Sequence, residues 1–161
     1  MSSALVLTVT GHIMSLRLKG KSTMSLKDLA IKLNGMVQEG FSLDVLPLTQ
    51  GEERGISVLQ VTVEGFDELP IFISATDEQL LCVTNLFGAS EVVPDMVNEL
   101  NAMLLRLSVN VPLSSFGMID DTYILFGAMP VSTPVEHVAH EVVVQAENAL
   151  ECLEALEEFL S

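Results

Sequence analysis

Four strand-like segments follow one another through the first half of the chain, and only short polar connections separate them. The clearest connection is the run of polar residues and glycines at 50–55. Connections of this length leave no room for the crossover helices of a parallel sheet, so the segments predict an antiparallel meander. The four segments are residues 41–48, 56–63, 69–74 and 80–86.

Two helical patterns flank this meander. The first begins at Ser25, which forms a capping-box pattern with Asp28, and Gly40 is well placed to end it. The second begins at Pro94 and runs to about Leu107. The first helix is expected to bury Leu26, Leu29, Ala30, Leu33 and Val37, and the second Met96, Val97, Leu100, Met103, Leu104 and Leu107.

A third, longer helix is predicted over residues 134–160. Thr133, Pro134 and Glu136 supply an N-cap, a first-turn proline and a capping-box acid. At a rise of about 1.5 Å per residue the helix would be roughly 40 Å long. Its expected buried stripe is Val135, Val138, Val142, Ala146, Ala149, Leu150, Leu153, Leu156 and Leu160.

Two more strand-like segments, 117–119 and 122–128, flank Asp120-Asp121, a dipeptide typical of a tight turn. The whole pattern predicts an α+β fold in which an antiparallel sheet is packed by three helices. At 161 residues the chain is long enough to bury one such core without disulfides or metals.

The strand at 56–63 is apolar on both of its faces. Ile56 and Val58 point one way, whereas Leu59, Val61 and Val63 point the other. A sheet that is apolar on both faces needs two covers. Three helices could supply both, or a dimer mate or a partner segment could cover the second face.

A charge boundary divides the chain near Met24. Arg17, Lys19 and Lys21 lie before it without any acid, and all 22 acids lie after it. Leu5 to Val9 alternate as in a strand, so residues 1–23 are expected to form a basic appendage or a hairpin. Residues 24–161 are expected to form the single α+β domain, and translation could begin at Met24. Because residues 1–23 carry the opposite charge and precede the helix start at Ser25, we expect them to be dispensable for folding.

The net charge of −15 disfavours binding to nucleic acids and to anionic membrane surfaces. The apolar-rich segment 4–18 is interrupted by polar residues and fits neither a signal peptide nor a membrane span, so no direct membrane insertion is expected. Cys82 and Cys152 lack the spacing of a zinc or redox motif and are read as buried residues in a reducing cytoplasm.

No catalytic motif stands out. His137 and His140 are three residues apart on a predicted helix, a spacing that could seed a metal site, but both fall on its polar side, where Glu136 could pair with His140. Ser114 and Ser115 lack a positioned base. We expect no catalytic residue, metal or cofactor, and the alternative is a small metalloprotein or enzyme using His137 and His140.

Five segments of the chain carry a resemblance to a known family. They are Leu26-Lys27-Asp28-Leu29, Leu69-Pro70-Ile71, Val111-Pro112-Leu113-Ser114-Ser115-Phe116-Gly117, Tyr123-Ile124-Leu125-Phe126-Gly127-Ala128 and the acidic last helix. Through these segments, the sequence from Ser25 to Leu160 resembles the YjfI-like family of uncharacterised bacterial proteins. More loosely, the order of its elements is similar to that of the small acidic dimeric chaperones of type III secretion. The family resemblance implies a cytoplasmic adaptor or chaperone whose partner is a phage-shock-protein-A-like coiled-coil protein.

Four glutamates lie on one stripe of the last helix, at Glu147, Glu151, Glu154 and Glu158, and the chain has no Lys or Arg after Arg106. Like charges one turn apart cost about 0.2 to 0.5 kcal/mol per pair, and acids near a helix C-terminus oppose the helix dipole. The stripe therefore predicts either a surface for a basic protein partner or an adaptation for solubility. Leu105 departs from the buried stripe of its helix and is the candidate contact of a homodimer.

Overall fold

The computed structural model of the chain describes residues 25–49 and 57–161. The expectations for residues 1–23 and for Ile56 lie outside the described residues. The described helices are α1 (Leu26–Leu33), α2 (Val97–Leu107) and α3 (Val135–Ala155). The strands are β1 (Val37–Gln38), β2 (Phe41–Leu48), β3 (Val58–Val63), β4 (Ile71–Ala75), β5 (Gln79–Gly88), β6 (Ser115–Ile119) and β7 (Thr122–Pro130).

The seven described strands form one sheet in the order β1-β2-β3-β4-β5-β7-β6, and every neighbouring pair is antiparallel. The predicted α+β class, the meander and the hairpin across Asp120-Asp121 are therefore confirmed. The chain leaves β5 through α2 and returns in β6, so β7 pairs with β5 and β6 becomes the edge strand. Asp120 adopts a left-handed φ of 49° in the tight turn between β6 and β7.

The first helix is shorter than predicted. Ser25 caps it as expected, since its Oγ accepts from the Asp28 N–H at 3.1 Å, but α1 ends at Leu33 rather than near Gly40. Gly35 takes a φ of +76°, which ends the helical path five residues before Gly40. Glu39 and Gly40, with φ values of 53° and 91°, instead form the two-residue turn between β1 and β2, which is the usual left-handed hairpin geometry.

All three described helices pack on the same side of the sheet, which we call the first face. α1 and α3 cover Leu59, Val61 and Ile73 in the main core. α2 packs farther along, where the Tyr123 hydroxyl donates to Asn101 Oδ1 at 2.8 Å. The possibility that the helices cover both faces is therefore wrong for the described part of the chain, because each helix is held to first-face residues.

The last helix differs from its prediction at both ends. Pro134 takes the N-cap position, and no side chain caps the helix, so Thr133 does not serve as N-cap. α3 stops at Ala155, and a short 3₁₀ turn, Glu157–Phe159, follows it. This turn is held to the residues before α2, because the Val93 N–H donates to the Phe159 carbonyl at 2.9 Å. Within residues 25–49 and 57–161, no helix is long and apolar enough to cross a membrane.

Candidate functional site

An exposed face of α3 combines carboxylates with one leucine. Glu147, Glu151 and Glu154 recur at helical spacing, and Leu150 lies between them with 42% of its surface exposed. Leu150 was predicted to be buried, and that prediction is wrong because its position faces outward with the glutamates. We call Glu147, Leu150, Glu151 and Glu154 the acidic face.

The four predicted glutamates do not lie on one helix. Glu147, Glu151 and Glu154 belong to α3, whereas Glu158 is exposed in the 3₁₀ turn that follows it. In the described part of the chain, the one salt bridge joins His140 to Glu39, so these four carboxylates have no ion-pair partner there. Within the described ranges, no cation neutralises these carboxylates.

Leu105 lies on α2, whereas the acidic face lies on α3. It is 74% exposed, while Leu100 and Leu104 of the same helix are buried against Leu156. The predicted departure of Leu105 from the buried stripe is confirmed.

Buried amides hold α3 in a fixed rotation beneath the acidic face. Gln145 Nε2 donates to Thr84 Oγ1 at 2.9 Å and to the Leu125 carbonyl at 3.4 Å. Asn148 Nδ2 donates to the Pro112 carbonyl at 2.8 Å and to Ser114 Oγ at 3.2 Å. Buried polar groups are retained only where they are hydrogen bonded, so these contacts orient the helix and the side chains on its outer face.

Neither amide was among the candidate residues predicted from the sequence. Gln145 and Asn148 sit directly beside the buried Ala146 and Ala149. Their position next to small residues on the predicted buried stripe was the one sequence feature that could have indicated their burial. Their partners are 20 to 61 residues away in the chain, so local pattern could not supply them.

The loop bonded to Asn148 makes a close approach to the sheet at Gly127. A Cβ at Gly127 would lie 2.8 Å from the Leu113 carbonyl oxygen, a distance that real Cβ atoms essentially never show. Leu113 has a left-handed φ of 59°, which is uncommon for a residue of its size, and its side chain is exposed. The two sequence segments that most specifically carry the family resemblance, around Leu113 and around Gly127, therefore meet at this point.

The two cysteine thiols are unsuited to nucleophilic chemistry. Burial, with a further contribution from Glu141, raises the pKa of Cys82 to about 12. Burial, with a smaller contribution from Glu151, raises the pKa of Cys152 to about 11. Both cysteines are free and buried, as predicted, and both are neutral thiols at physiological pH.

His140 finds a partner other than the one suggested by the helical pattern. Its Nδ1 lies 2.7 Å from Glu39 Oε1 in the β1–β2 turn, whereas Glu136 was the expected partner. His137 is exposed one turn earlier. Among the described residues, no group of three His, Cys, Asp or Glu side chains is arranged to hold a metal ion.

Among the solved structures that match this chain, two show similarities of modest size. A chain of YbjN from E. coli matches with a TM-score of 0.48 and 21% identity, covering 67% of this chain and 82% of YbjN. A chain of the ExsC–ExsE complex matches with a TM-score of 0.43 and 11% identity, covering 98% of this chain and 91% of its own.

Sequence comparison gives a firmer relationship. The YjfI protein of Escherichia coli K12 is 31% identical over 108 residues, which are 64% of this chain and 79% of YjfI. YjfI of Escherichia coli O157:H7 matches to the same extent. A family model described as "uncharacterized protein conserved in bacteria (DUF2170)" matches residues 23–160. The predicted YjfI-like resemblance is thereby confirmed, and the chain belongs to the DUF2170 family.

Proposed function

We propose that this protein is a non-enzymatic cytoplasmic adaptor or chaperone-like protein, and that its acidic face binds a basic, amphipathic helical segment of a partner protein. The observation that carries the proposal is the exposed Leu150 within a row of glutamates that have no ion-pair partner among the described residues. A surface built only for solubility has no need of an exposed leucine at its centre.

The acidic face offers the two kinds of contact that such a partner requires. Its carboxylates attract lysine and arginine side chains, and Leu150 can enter the apolar side of a bound helix. Burying a fully exposed leucine is worth about 1.5 to 3 kcal/mol, so covering the 42% of Leu150 that is exposed adds roughly 1 kcal/mol to affinity once charge has brought the partners together. Repulsion among the glutamates is relieved at the same time, because the bound cations neutralise it.

The acidic face is also rigid, which favours binding. Gln145 and Asn148 fix the rotation of α3 through hydrogen bonds to the sheet and to the loop at Pro112. A surface that is already ordered loses less conformational entropy when a partner binds. The family resemblance points to a phage-shock-protein-A-like coiled coil as the partner, and such a helix has the form that the acidic face would receive.

Stopped-flow mixing with a phage-shock-protein-A-like protein from the same bacterium tests the proposal. Changing Glu147, Glu151, Glu154 and Glu158 to Gln should lower the association rate at low salt by about tenfold or more and remove most of its salt dependence. Thermal stability should stay the same or rise.

A matched control carries the same charge change elsewhere, with Asp67→Asn, Glu68→Gln, Glu78→Gln and Asp121→Asn, all at exposed positions. It should associate faster than the variant with Glu147, Glu151, Glu154 and Glu158 changed to Gln. Equal rates for the two variants would mean that total charge, and not the acidic face, governs association. A Leu150→Ser variant should chiefly raise the dissociation rate, and an unchanged rate would remove Leu150 from the interface.

A further inference from the structure

The two edges of the described sheet differ in how they are protected. At one edge, where β1 is short, the Val45 N–H of β2 donates to Asn34 Oδ1 at 3.0 Å. The Gly35 N–H donates to the Leu43 carbonyl at 2.8 Å. Pro47, farther along β2, has no N–H to offer another strand. Capping groups and prolines of this kind prevent a sheet edge from pairing with another chain.

The other edge, formed by β6, has no such protection in the described part of the chain. β6 contains neither a proline nor a charged residue. The Phe116 N–H points away from β7, because it donates to Ser108 Oγ at the end of α2, at 3.1 Å. Hydrogen-bonding direction alternates along an antiparallel strand, so the N–H and the carbonyl of Met118 also point away from β7. No described strand lies on that side of β6 to pair with them.

Exposed apolar side chains surround this open position. Met118 is 48% exposed and pairs with Tyr123, whose hydroxyl donates to Asn101 of α2. Leu105 lies one turn after Asn101 and one turn before Ser108, and both of these residues are bonded to the β6–β7 hairpin. Leu105 is therefore held on the side of α2 that adjoins β6. We define the edge patch as the exposed side chains of Leu105, Val109 and Met118.

The charges around the edge patch complement themselves. Residues 107–119 contain no Asp, Glu, Lys or Arg, although the chain has a net charge of −15. Arg106 precedes this uncharged segment on the end of α2, which is bonded to the start of β6, and Asp120 and Asp121 follow the segment. An antiparallel encounter of two copies therefore brings Arg106 of each copy toward the two aspartates of the other. Contacts through more acidic parts of the surface would instead be repulsive.

We propose that two copies of this chain pair through β6, as antiparallel edge strands related by a twofold axis at Met118. The Met118 N–H of each copy donates to the Met118 carbonyl of the other, and the two edge patches cover each other. The two sheets then become one continuous sheet. A twofold interface requires a surface that complements itself, and a strand of another protein would lack the reversed order of charges that this segment offers to its own copy.

A cysteine at the twofold axis tests this pairing. Cα atoms in a hydrogen-bonded antiparallel pair are about 5.5 Å apart, a distance that a disulfide can bridge. Met118→Cys should therefore form a disulfide between two copies under mild oxidation. The matched control is Leu46→Cys, at a 53% exposed position on the protected edge. It should crosslink at about a tenth of the rate or less, because no pairing holds two copies of that position together.

The native cysteines contribute little to this measurement. Both are buried, and burial raises the pKa of Cys82 to about 12 and that of Cys152 to about 11. Neither thiol is therefore ionised enough to compete with an exposed cysteine at neutral pH.

A lysine at the same position tests the pairing without a crosslink. A charged side chain opposes pairing at a sheet edge. Light scattering at micromolar concentration should therefore give the mass of one chain for Met118→Lys, and of two chains for the native protein and for Leu46→Lys. Circular dichroism establishes that each variant is folded.

Three results would overturn the proposal. A native protein with the mass of one chain at micromolar concentration would exclude the dimer. Equal crosslinking rates for Met118→Cys and Leu46→Cys would mean that the disulfides come from random collisions. A Met118→Lys variant that keeps the mass of two chains would place the contact between copies elsewhere on the surface.

Discussion

Gln145 Nε2 lies 2.9 Å from Thr84 Oγ1, and both side chains are buried between α3 and the sheet. This contact joins the helix that carries the acidic face to a central strand. It belongs to the small class of interactions whose loss leaves a polar group buried and unsatisfied.

Replacing Gln145 with Leu should therefore lower the free energy of unfolding by about 1 to 3 kcal/mol, because Thr84 is left without its donor. Chemical denaturation measures the change. The double variant Gln145→Leu with Thr84→Val should recover part of the loss, since removing both polar partners is often nearly neutral. If the two losses simply add, the hydrogen bond does not stabilise the protein in the way inferred here.

Replacing Glu141 with Gln should raise the melting temperature at neutral pH. Burial raises the pKa of Glu141, with His140 partly opposing the shift, so ionising this carboxyl costs stability in the folded state. The contribution of Glu141 to the free energy of unfolding is fully favourable below pH 4.5, which is the ordinary pKa of this carboxyl. That contribution is lost as the pH rises through the raised pKa of the folded state. Calorimetry at pH 5 and pH 7.5 should show a larger gain for the variant at the higher pH. An equal gain at both values would contradict the assignment.

Starting the chain at Met24 tests whether residues 1–23 are dispensable for folding. Their charge and their position before Ser25 predict an unchanged melting temperature. Thermal denaturation of the full and the shortened chains measures it. A large drop in the melting temperature, or insolubility, would mean that residues 1–23 contribute to the folded domain.

Replacing Leu105 with Glu should dissociate a homodimer without unfolding the chain. Leu105 is highly exposed on α2, so the substitution removes no buried contact within one chain. Light scattering at micromolar concentration should give the mass of two chains for the native protein and of one chain for the variant. Ile31→Glu, on α1, is the matched control at another exposed apolar position. A native protein that is already monomeric would exclude this dimer.

The strands were predictable because their alternation and their turns are local properties. The errors arose where a distant contact or a single glycine decides the structure. Val37 continues the helical spacing of Leu33, but Gly35 ends the helix before that position is reached. Leu150 is more apolar than Asn148, yet Asn148 faces inward because its side chain donates a hydrogen bond to the Pro112 carbonyl.

The acidic face was predictable in outline and not in detail. The spacing of Glu147, Glu151 and Glu154 could be read from the sequence, and all three lie on the outer side of α3. The end of α3 before Glu158 could not be read from the sequence, because it depends on the pairing of residues 159–160 with residues near Val93. The crowding of all three helices onto one face likewise follows from tertiary packing and not from any single segment.

The approach of the Leu113 carbonyl to Gly127 couples two parts of the chain that are far apart in sequence. Any side chain at position 127 would displace the loop, and the loop in turn holds Asn148 and therefore the setting of α3. A larger residue at position 127 would thus be accepted in evolution only with a compensating change in the loop. Relatives that bear such a residue should differ in the loop as well.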